Sequence, residues 1–474
     1  MENDFPSDFE LYESQELNSS EPLDRLSELP DSVVHFIFSF LPMDYVVRTT
    51  ILSKRWKDLW TFVPYIYFQP KEGELDKFTN FVNRTLMLWK GKKIQKFTID
   101  FKDVYEPSSC TDLNLWVRFA LEHEVEELDL DYFFVTLDDR YWMTQRLFSG
   151  SSIKKLRIMD CNMEVSGKIH WDQLKSLTIN TVRWGQDEID KVLSGSPQLE
   201  ILIMYTSEKM SIHSGSLKKL FIHFDLHNHF GEEIDSALEI WTPNLQVLEI
   251  SGRLYCKFFL QVNVPSLVEA TLHFSTPGYD DLEMVMVRDF FQSIHHVEKL
   301  SLGSHFIKEL SAMEKNDLPS PPLNLKRLSV DTYIGKDVLA GILNLLEISP
   351  DLSILEIMDL RSYEDGSEFF CRNVGGNFKS QLELRDSFNM RLKTVTITWY
   401  VDSTSMFSFI EFVLKNASKL EKMVIQAKPI DSHPPDLFFE IAQKLLRMPR
   451  SSPNAEVVLR RLYSEDDSSS IDYS

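Results

Sequence analysis

Along most of this chain one order of apolar and polar positions recurs: apolar, two others, apolar, one other, apolar. It reads "IQKFTI" from Ile94, "VEELDL" from Val125, "IKKLRI" from Ile153, "LKSLTI" from Leu174, "LEILIM" from Leu199 and "LKKLFI" from Leu217. It continues as "LQVLEI" from Leu245, "VEKLSL" from Val297, "LKRLSV" from Leu325, "LSILEI" from Leu352, "LKTVTI" from Leu392 and "LEKMVI" from Leu420, with a degenerate "LVEATL" from Leu267. The alternation predicts a short strand with one buried face in each copy. Pro197, Pro243, Pro265 and Pro350 each stand two residues before the first apolar position, where proline sets an extended approach to the strand. Between copies the apolar period becomes helical, as in Val338, Ile342, Leu345 and Leu346, or Phe290, Phe291 and Ile294. The copies begin mostly 18 to 31 residues apart, with one gap of 40. No single strand can bury its own edge, so the copies are expected to stack into a solenoid with a shared core.

The N-terminal third of the pattern is different. In "LPDSVVHFIFSFLPM", from Leu29, only His35 and Ser39 interrupt the apolar run from Val33 to Leu41. Pro30 and Asp31 predict a helix start, with Val33, Ile37 and Leu41 on one face and Val34, Phe36, Phe38 and Phe40 adding apolar surface around it. Pro42 ends it. A second segment carries Val46, Val47 and Ile51. Ser53 is the expected N-cap of a third, with Trp56, Leu59 and Trp60 on one face. About 35 residues cannot bury this much apolar surface by themselves. Either the solenoid downstream covers the excess or another protein does.

These residues carry a resemblance. Leu26 to Trp60 resembles an F-box of the plant type, through Leu29-Pro30, Leu41-Pro42, Val47-Arg48-Thr49 and, above all, "LSKRW" at Leu52–Trp56 followed by Trp60. Met43-Asp44-Tyr45 and Ile51 are small departures. The resemblance implies docking on a Skp-type adaptor, and through it on a cullin ubiquitin ligase. Carried over by position, the contacts are Leu29, Pro30, Val33, Ile37, Leu41 and Trp56. The recurring unit is that of leucine-rich repeats, irregular in that the usual ninth-position Asn or Cys appears only as Cys161. Near the end, Met406, Phe409, Ile410, Val413, Leu414 and Ala417 form a helical stripe between two strand copies, and "FVLKNASKLEKMVI" resembles the FBD module of plant F-box/leucine-rich-repeat proteins. The expected architecture is α/β: an F-box over 23–70, repeats over 90–383, an FBD cap over 384–460, and acidic tails at 1–22 and 463–474.

Composition bounds the function. The 474 residues are 43% hydrophobic, ordinary for a packed chain. The net charge of −22 is uneven. Residues 1–24 hold eight acids and no Lys or Arg, and 463–474 hold four more; without them the body carries about −10. Such tails are expected to be solvated and disordered. Nothing resembles a basic nucleic-acid footprint; Lys90, Lys92, Lys93 and Lys96 are expected to be a solvated face. Cys110, Cys161, Cys256 and Cys371 have no paired spacing, which suits free thiols in a reducing compartment. No signal peptide or membrane-length apolar run is visible, so the expected location is cytoplasm or nucleus, without membrane.

The chemistry of an enzyme is not visible. Zinc-spaced Cys and His are absent, no cysteine has a nucleophile's context, "GGNFKS" at Gly375–Ser380 lacks phosphate-loop spacing, and His295-His296 precedes a repeat strand. No cofactor is expected. The expected role is a substrate-recognition subunit of a Skp–cullin–F-box ligase, holding a target while other subunits transfer ubiquitin. The alternatives are a non-degradative scaffold that engages a Skp-type adaptor, and an enzyme carried on the repeats. Residues between and just after the last two apolar positions of each copy point onto the solenoid's concave face. That column reads Asp129, Asp131 and Arg157 early, Ser301, Ser329 and Thr396 late. In the middle it holds Ile203, Tyr205, Phe221, His223, Glu249, Ser251, Thr271 and His273. Aromatic side chains are common interface anchors, so Tyr205, Phe221, His223 and His273 are the expected target contacts, unless a loop folds over them.

Overall fold

The computed structural model describes residues 28–71, 73–101, 112–131, 143–161, 163–180, 184–206, 210–224, 236–253, 258–275, 284–315, 320–332, 334–358, 382, 390–400, 404–428 and 437–462. Both acidic tails, Cys110, Cys256, Cys371 and the segment Gly375–Ser380 lie outside them.

Its frame is one 15-stranded sheet in which every neighbouring pair is parallel. The first strands are β1 (Tyr65–Phe68), β2 (Lys96–Asp100), β3 (Glu127–Asp131), β4 (Lys155–Met159), β5 (Ser176–Asn180) and β6 (Ile201–Thr206). Then come β8 (Lys219–Phe224), β10 (Val247–Arg253), β12 (Glu269–Ser275), β13 (Lys299–Gly303), β14 (Arg327–Asp331) and β15 (Ile354–Met358). The series closes with β16 (Thr394–Tyr400), β17 (Lys422–Lys428) and β18 (Glu456–Arg461). All three apolar positions of every sequence copy are buried, from Ile94, Phe97 and Ile99 to Leu420, Met423 and Ile425. The alternation seen in the sequence is therefore the alternation of the pleat.

Register between units is held by a shared carbonyl. In one unit after another, two successive N–H groups donate to a single C=O of the unit before: Lys154 and Lys155 to Glu126, Glu200 and Ile201 to Lys175, Lys326 and Arg327 to Glu298. This spine does for the irregular repeats what a side-chain ladder does in regular ones. Opposite charges pair beside it in several units, with Lys154–Glu126 at 2.8 Å, Lys218–Glu200 at 3.1 Å and Lys326 paired with Glu298. Each exposed pair is worth little, about 0–1 kcal/mol. Lys93 joins this ladder by pairing with Glu126 at 2.6 Å.

Across the core lie the helices α4 (Leu75–Leu88), α5 (Leu113–Glu122), α6 (Gln186–Gly195), α7 (Met284–Ser293), α8 (Ser304–Lys315) and α9 (Lys336–Ile348), then Thr404–Asn416 and Leu437–Arg447, of which α7, α9 and Thr404–Asn416 carry the helical stripes expected from the sequence. The middle repeats differ from the expectation of helices throughout. There a second sheet, ordered β11 (Phe258–Asn263), β9 (Ser236–Trp241), β7 (Met210–His213), closes the core between α6 and α7. Met210, Ile212, Leu238, Ile240, Leu260 and Val262 are buried at alternate positions. A strand spans this layer with fewer residues than a helix would need, which suits the shorter connections 207–218 and 254–268; the connection 225–246 is as long as those that carry α6 and α7.

The F-box joins this frame without a gap. Helices α1 (Asp31–Phe38), α2 (Met43–Arg48) and α3 (Trp56–Leu59) bury Val34, Phe38, Met43, Val46 and Trp56 in the same continuous core as the repeats. Pro30, not Asp31, is the N-cap of α1. Asp31 instead occupies its first turn, where the helix dipole favours an acid, and pairs with Arg55. Ser53 Oγ accepts the Arg55 N–H at 3.2 Å in the turn before α3. The Trp89 indole donates to the Val63 carbonyl at 2.9 Å, and Lys96 N–H to that of Pro64. No helix among the described residues is long and apolar enough to cross a membrane.

Candidate functional site: two recognition surfaces

The first surface lies on the F-box. Turning Val34 and Phe38 inward leaves Phe36, 60% exposed, and Phe40, 69% exposed, on the outside of α1, their rings 4.9 Å apart edge to face. Val33, Tyr45, Ile51 and Leu52 are exposed as well. Of the residues expected to contact an adaptor, Pro30 and Val33 are exposed, and Leu29, Ile37 and Leu41 are half-buried. Trp56 is a correction. It is buried at 3% exposure, with its ring 5.5 Å from that of Phe38, so it builds the domain's core and has no side chain to offer a partner. Its large apolar area made it attractive on both counts, and the interior won because α3 lies under α1. Phe36 and Phe40 entered the sequence reading only as extra apolar surface, yet they are the most exposed aromatic pair on α1. Their i, i+4 spacing was the available signal.

The second surface is the face of the large sheet turned away from the core. Its columns follow from strand register: Thr178, Ile203, Phe221, Glu249 and Thr271 lie in successive positions, as do Asn180, Tyr205, His223 and Ser251. All four expected target contacts are half-buried on this face. Tyr205, Phe221 and His223 come together. The Tyr205 and His223 rings lie 4.8 Å apart at 30°, and His223 Nδ1 is hydrogen-bonded to Ser251 Oγ. Burial pushes the His223 pKa down and keeps the ring neutral.

His273 belongs to a different group, two strands further on. Its Nδ1 lies 3.3 Å from Asp331 Oδ2, and its Nε2 is hydrogen-bonded to Ser301 Oγ (2.9 Å). Gly303, opposite Asp331 in the sheet, stands between the two partners; a Cβ placed on it would lie 3.4 Å from His273 Cα. Without a side chain there, His273 can reach over β13. Burial pushes the His273 pKa down, against the attraction of Asp331. Burial also pushes Asp331 up, Glu356 adds to the rise, and His273 opposes it. The order Ser–His–Asp is that of a nucleophilic triad. However, β13 is paired on both sides, with β12 and β14, so the strand around Ser301 offers no free N–H groups for an oxyanion. The group is a polar relay.

Nearer the F-box the face is ionic. Arg157 donates to Asp129 at 2.9 Å and to Asp131 at 2.7 Å. Burial works against the guanidinium charge, but the two carboxylates outweigh it and raise its pKa. Asp331 and Glu356 were missed in the sequence because the outward column was read in full only through the middle copies. Among the described residues, no group of three or more His, Cys, Asp or Glu is arranged to hold a metal ion.

An F-box set on a leucine-rich-repeat solenoid defines a class of protein–protein adaptor, and comparison with known proteins gives the same division. An F-box domain model matches residues 26–66, and the model described as "At1g61320/AtMIF1, LRR domain" matches residues 86–437. The chain belongs to that F-box/leucine-rich-repeat family. Its relatives in Arabidopsis thaliana include F-box/LRR-repeat protein At3g03360, 26% identical over 92% of this chain and 91% of that one. Another is putative F-box/LRR-repeat protein At3g18150, 26% identical over 85% and 87%. A third, F-box/FBD/LRR-repeat protein At3g52680, is 27% identical over 86% of each. The repeat model runs well into the segment expected to be an FBD module, as the sheet itself does through β16 and β17. The F-box implies a Skp-type adaptor as partner, and the repeats a protein target.

Proposed function

We propose that this protein is the substrate-recognition subunit of a Skp–cullin–F-box ubiquitin ligase, working in cytoplasm or nucleus. The F-box docks on the adaptor through Pro30, Val33, Phe36 and Phe40, with Leu29, Ile37 and Leu41 at the margin. The outward face of the repeats holds a target protein, with Tyr205, Phe221, His223 and His273 among its contacts. Transfer chemistry is left to other subunits. The observation that carries this reading is the exposed apolar face of α1: after the F-box has packed on β1, Phe36 and Phe40 still face solvent. A chain with no partner there would carry that exposure as an aggregation hazard. The strand–helix–strand from β16 to β17 with the helix after it is read as an FBD module, in keeping with one relative's name.

The test is direct binding to a purified Skp-type adaptor. Phe36→Ser with Phe40→Ser is expected to weaken binding by about 2 kcal/mol, roughly 30-fold, at an unchanged melting transition. Leu29→Ala with Pro30→Ala is expected to weaken it in the same direction. Trp56→Ala should lower the melting transition itself, by the about 3–5 kcal/mol of a buried Trp. Full affinity in the double Phe variant would remove this face from the docking surface.

A further inference from the structure

We infer that the outward face takes its target as an extended, basic segment, with an apolar side chain on Tyr205 and Phe221 and a Lys or Arg beside Asp331, about six residues apart. This rests on the reading that the target binds on this face, and it adds the chemistry the target must present.

The argument begins with side-chain size. Over β13 and β14 the outward positions Ser301, Gly303 and Ser329 are small, so the sheet surface dips there between Lys299, Arg327 and Asp331. On one side of the dip stand the rings of Phe221 and His223, and the His273 ring reaches into it as far as Asp331. On the other stand Glu356 and Met358. Tyr205 and Phe221 give the apolar end of the dip a surface that water wets poorly.

Charge supplies the other end. Asp331 and Glu356 lie on adjacent strands, close enough that Glu356 opposes ionisation of Asp331. Arg327 answers Glu356, at 2.7 Å through Nη2 and 3.1 Å through Nε. Asp331 is answered by His273, whose ring burial holds neutral. Among the described residues the two carboxylates thus face one guanidinium and a ring that burial keeps from its charge, which leaves an excess of negative charge at Asp331. A cationic side chain laid in the dip would supply the missing charge, and a charge-assisted hydrogen bond to Asp331 is stronger than the neutral one it has now. An acidic side chain would meet two carboxylates.

Spacing follows from the sheet. Asp331 on β14 is four strands from Phe221 and His223 on β8. At about 4.8 Å per strand this is about 19 Å, which an extended chain covers in about six residues. A helix would need about 13 residues for the same span, so a spacing of about six residues marks an extended segment.

The experiment uses the full chain bound to its Skp-type adaptor. It is offered a phage-displayed library of random linear peptides of about 12 residues, twice the inferred spacing. Enriched clones are expected to share a Lys or Arg about six residues from an aromatic or aliphatic residue. A synthetic peptide made from them should lose about tenfold in affinity with Asp331→Asn, lose as much when its own cation is changed to Gln, and lose little more with both changes. Asp331→Glu should restore part of the loss, and the peptide-side change makes the result independent of how Asp331→Asn folds. Clones that are sensitive to Tyr205→Ser but carry no cation, or ignore Asp331→Asn, would overturn the basic-segment inference while leaving the target face in place. Clones indifferent to Tyr205→Ser, Phe221→Ser and Asp331→Asn alike, or no enrichment at all, would overturn the inference together with the target face.

Discussion

Tyr205 and His223 show how one residue's environment sets its chemistry. Both stand on the outward face, yet the rings shelter each other, and Ser251 occupies the imidazole Nδ1. The cost of charging the ring there falls on the folded state alone. Unfolded, His223 takes its proton near the usual 6.5; folded, it takes it at a lower pH. The unfolded chain thus binds more protons just below 6.5. This contribution to stability is complete above 6.5 and is lost as pH falls from there through the lowered folded value, after which it changes no further. His273 acts in the same direction. The denaturation midpoint is expected to fall between about pH 8 and pH 5, less steeply in His223→Gln. An identical slope in the variant would show that the ring titrates freely.

Helices α8 and α9 show what a single close approach does for an element. Gly341 lies where α9 crosses α8, and its N–H donates to Ser311 Oγ at 2.6 Å. A Cβ on Gly341 would come within 2.2 Å of the Ile307 carbonyl oxygen, which is backbone and cannot turn aside. Glycine in a helix interior costs about 1 kcal/mol relative to alanine, and the contact is what repays it. Gly341→Ala, stabilising in an isolated helix, is expected here to destabilise by about 1–3 kcal/mol through forced separation of the two helices, read from a denaturant melt. A stabilised variant would mean that α8 and α9 can part freely. The middle repeats make the complementary point. Met210 and Ile212 have the alternation of a strand, but "MSIH" is too short to hold the six-residue repeat pattern.

The molecule as a whole is a line of units, each resting on its neighbours. In such a line stability is close to a sum of unit and interface terms. Ending the chain after Met358 would leave β15 paired with β14 alone and uncover Leu355 and Ile357. Amide exchange in that truncated chain is expected to lose protection in β15 and β14 and to keep it in β2 to β6, where all contacts remain. Loss of protection throughout would show that the single core unfolds as one body. The F-box is the first member of the same line, since Val34 and Phe38 join the core that continues to Ile425.

The sequence by itself determined the strands from β2 to β17 of the large sheet, though not β1, β18 or the second sheet, because burial with period two is a property of local order: the apolar residue at the fourth position of a copy had to face the same way as its sixth-position partner. It also determined the α9 and Thr404–Asn416 helices, and the presence of a surplus apolar block at Leu29–Met43, because these depend on spacing within one turn or two. The tertiary structure alone decided which side of that block faces outward. Trp56 and Phe36 are equally apolar on paper, and only the placing of α3 beneath α1 sends one inside and leaves the other out. It alone decided that the middle repeats close with strands, since β7 packs beside α6 and β11 beside α7 and the three strands pair with one another. It alone joined Ser301, His273 and Asp331, residues 28 and 30 apart in sequence. Parallel register brings them to adjacent strands, and the absence of a side chain at Gly303 lets one of them reach across.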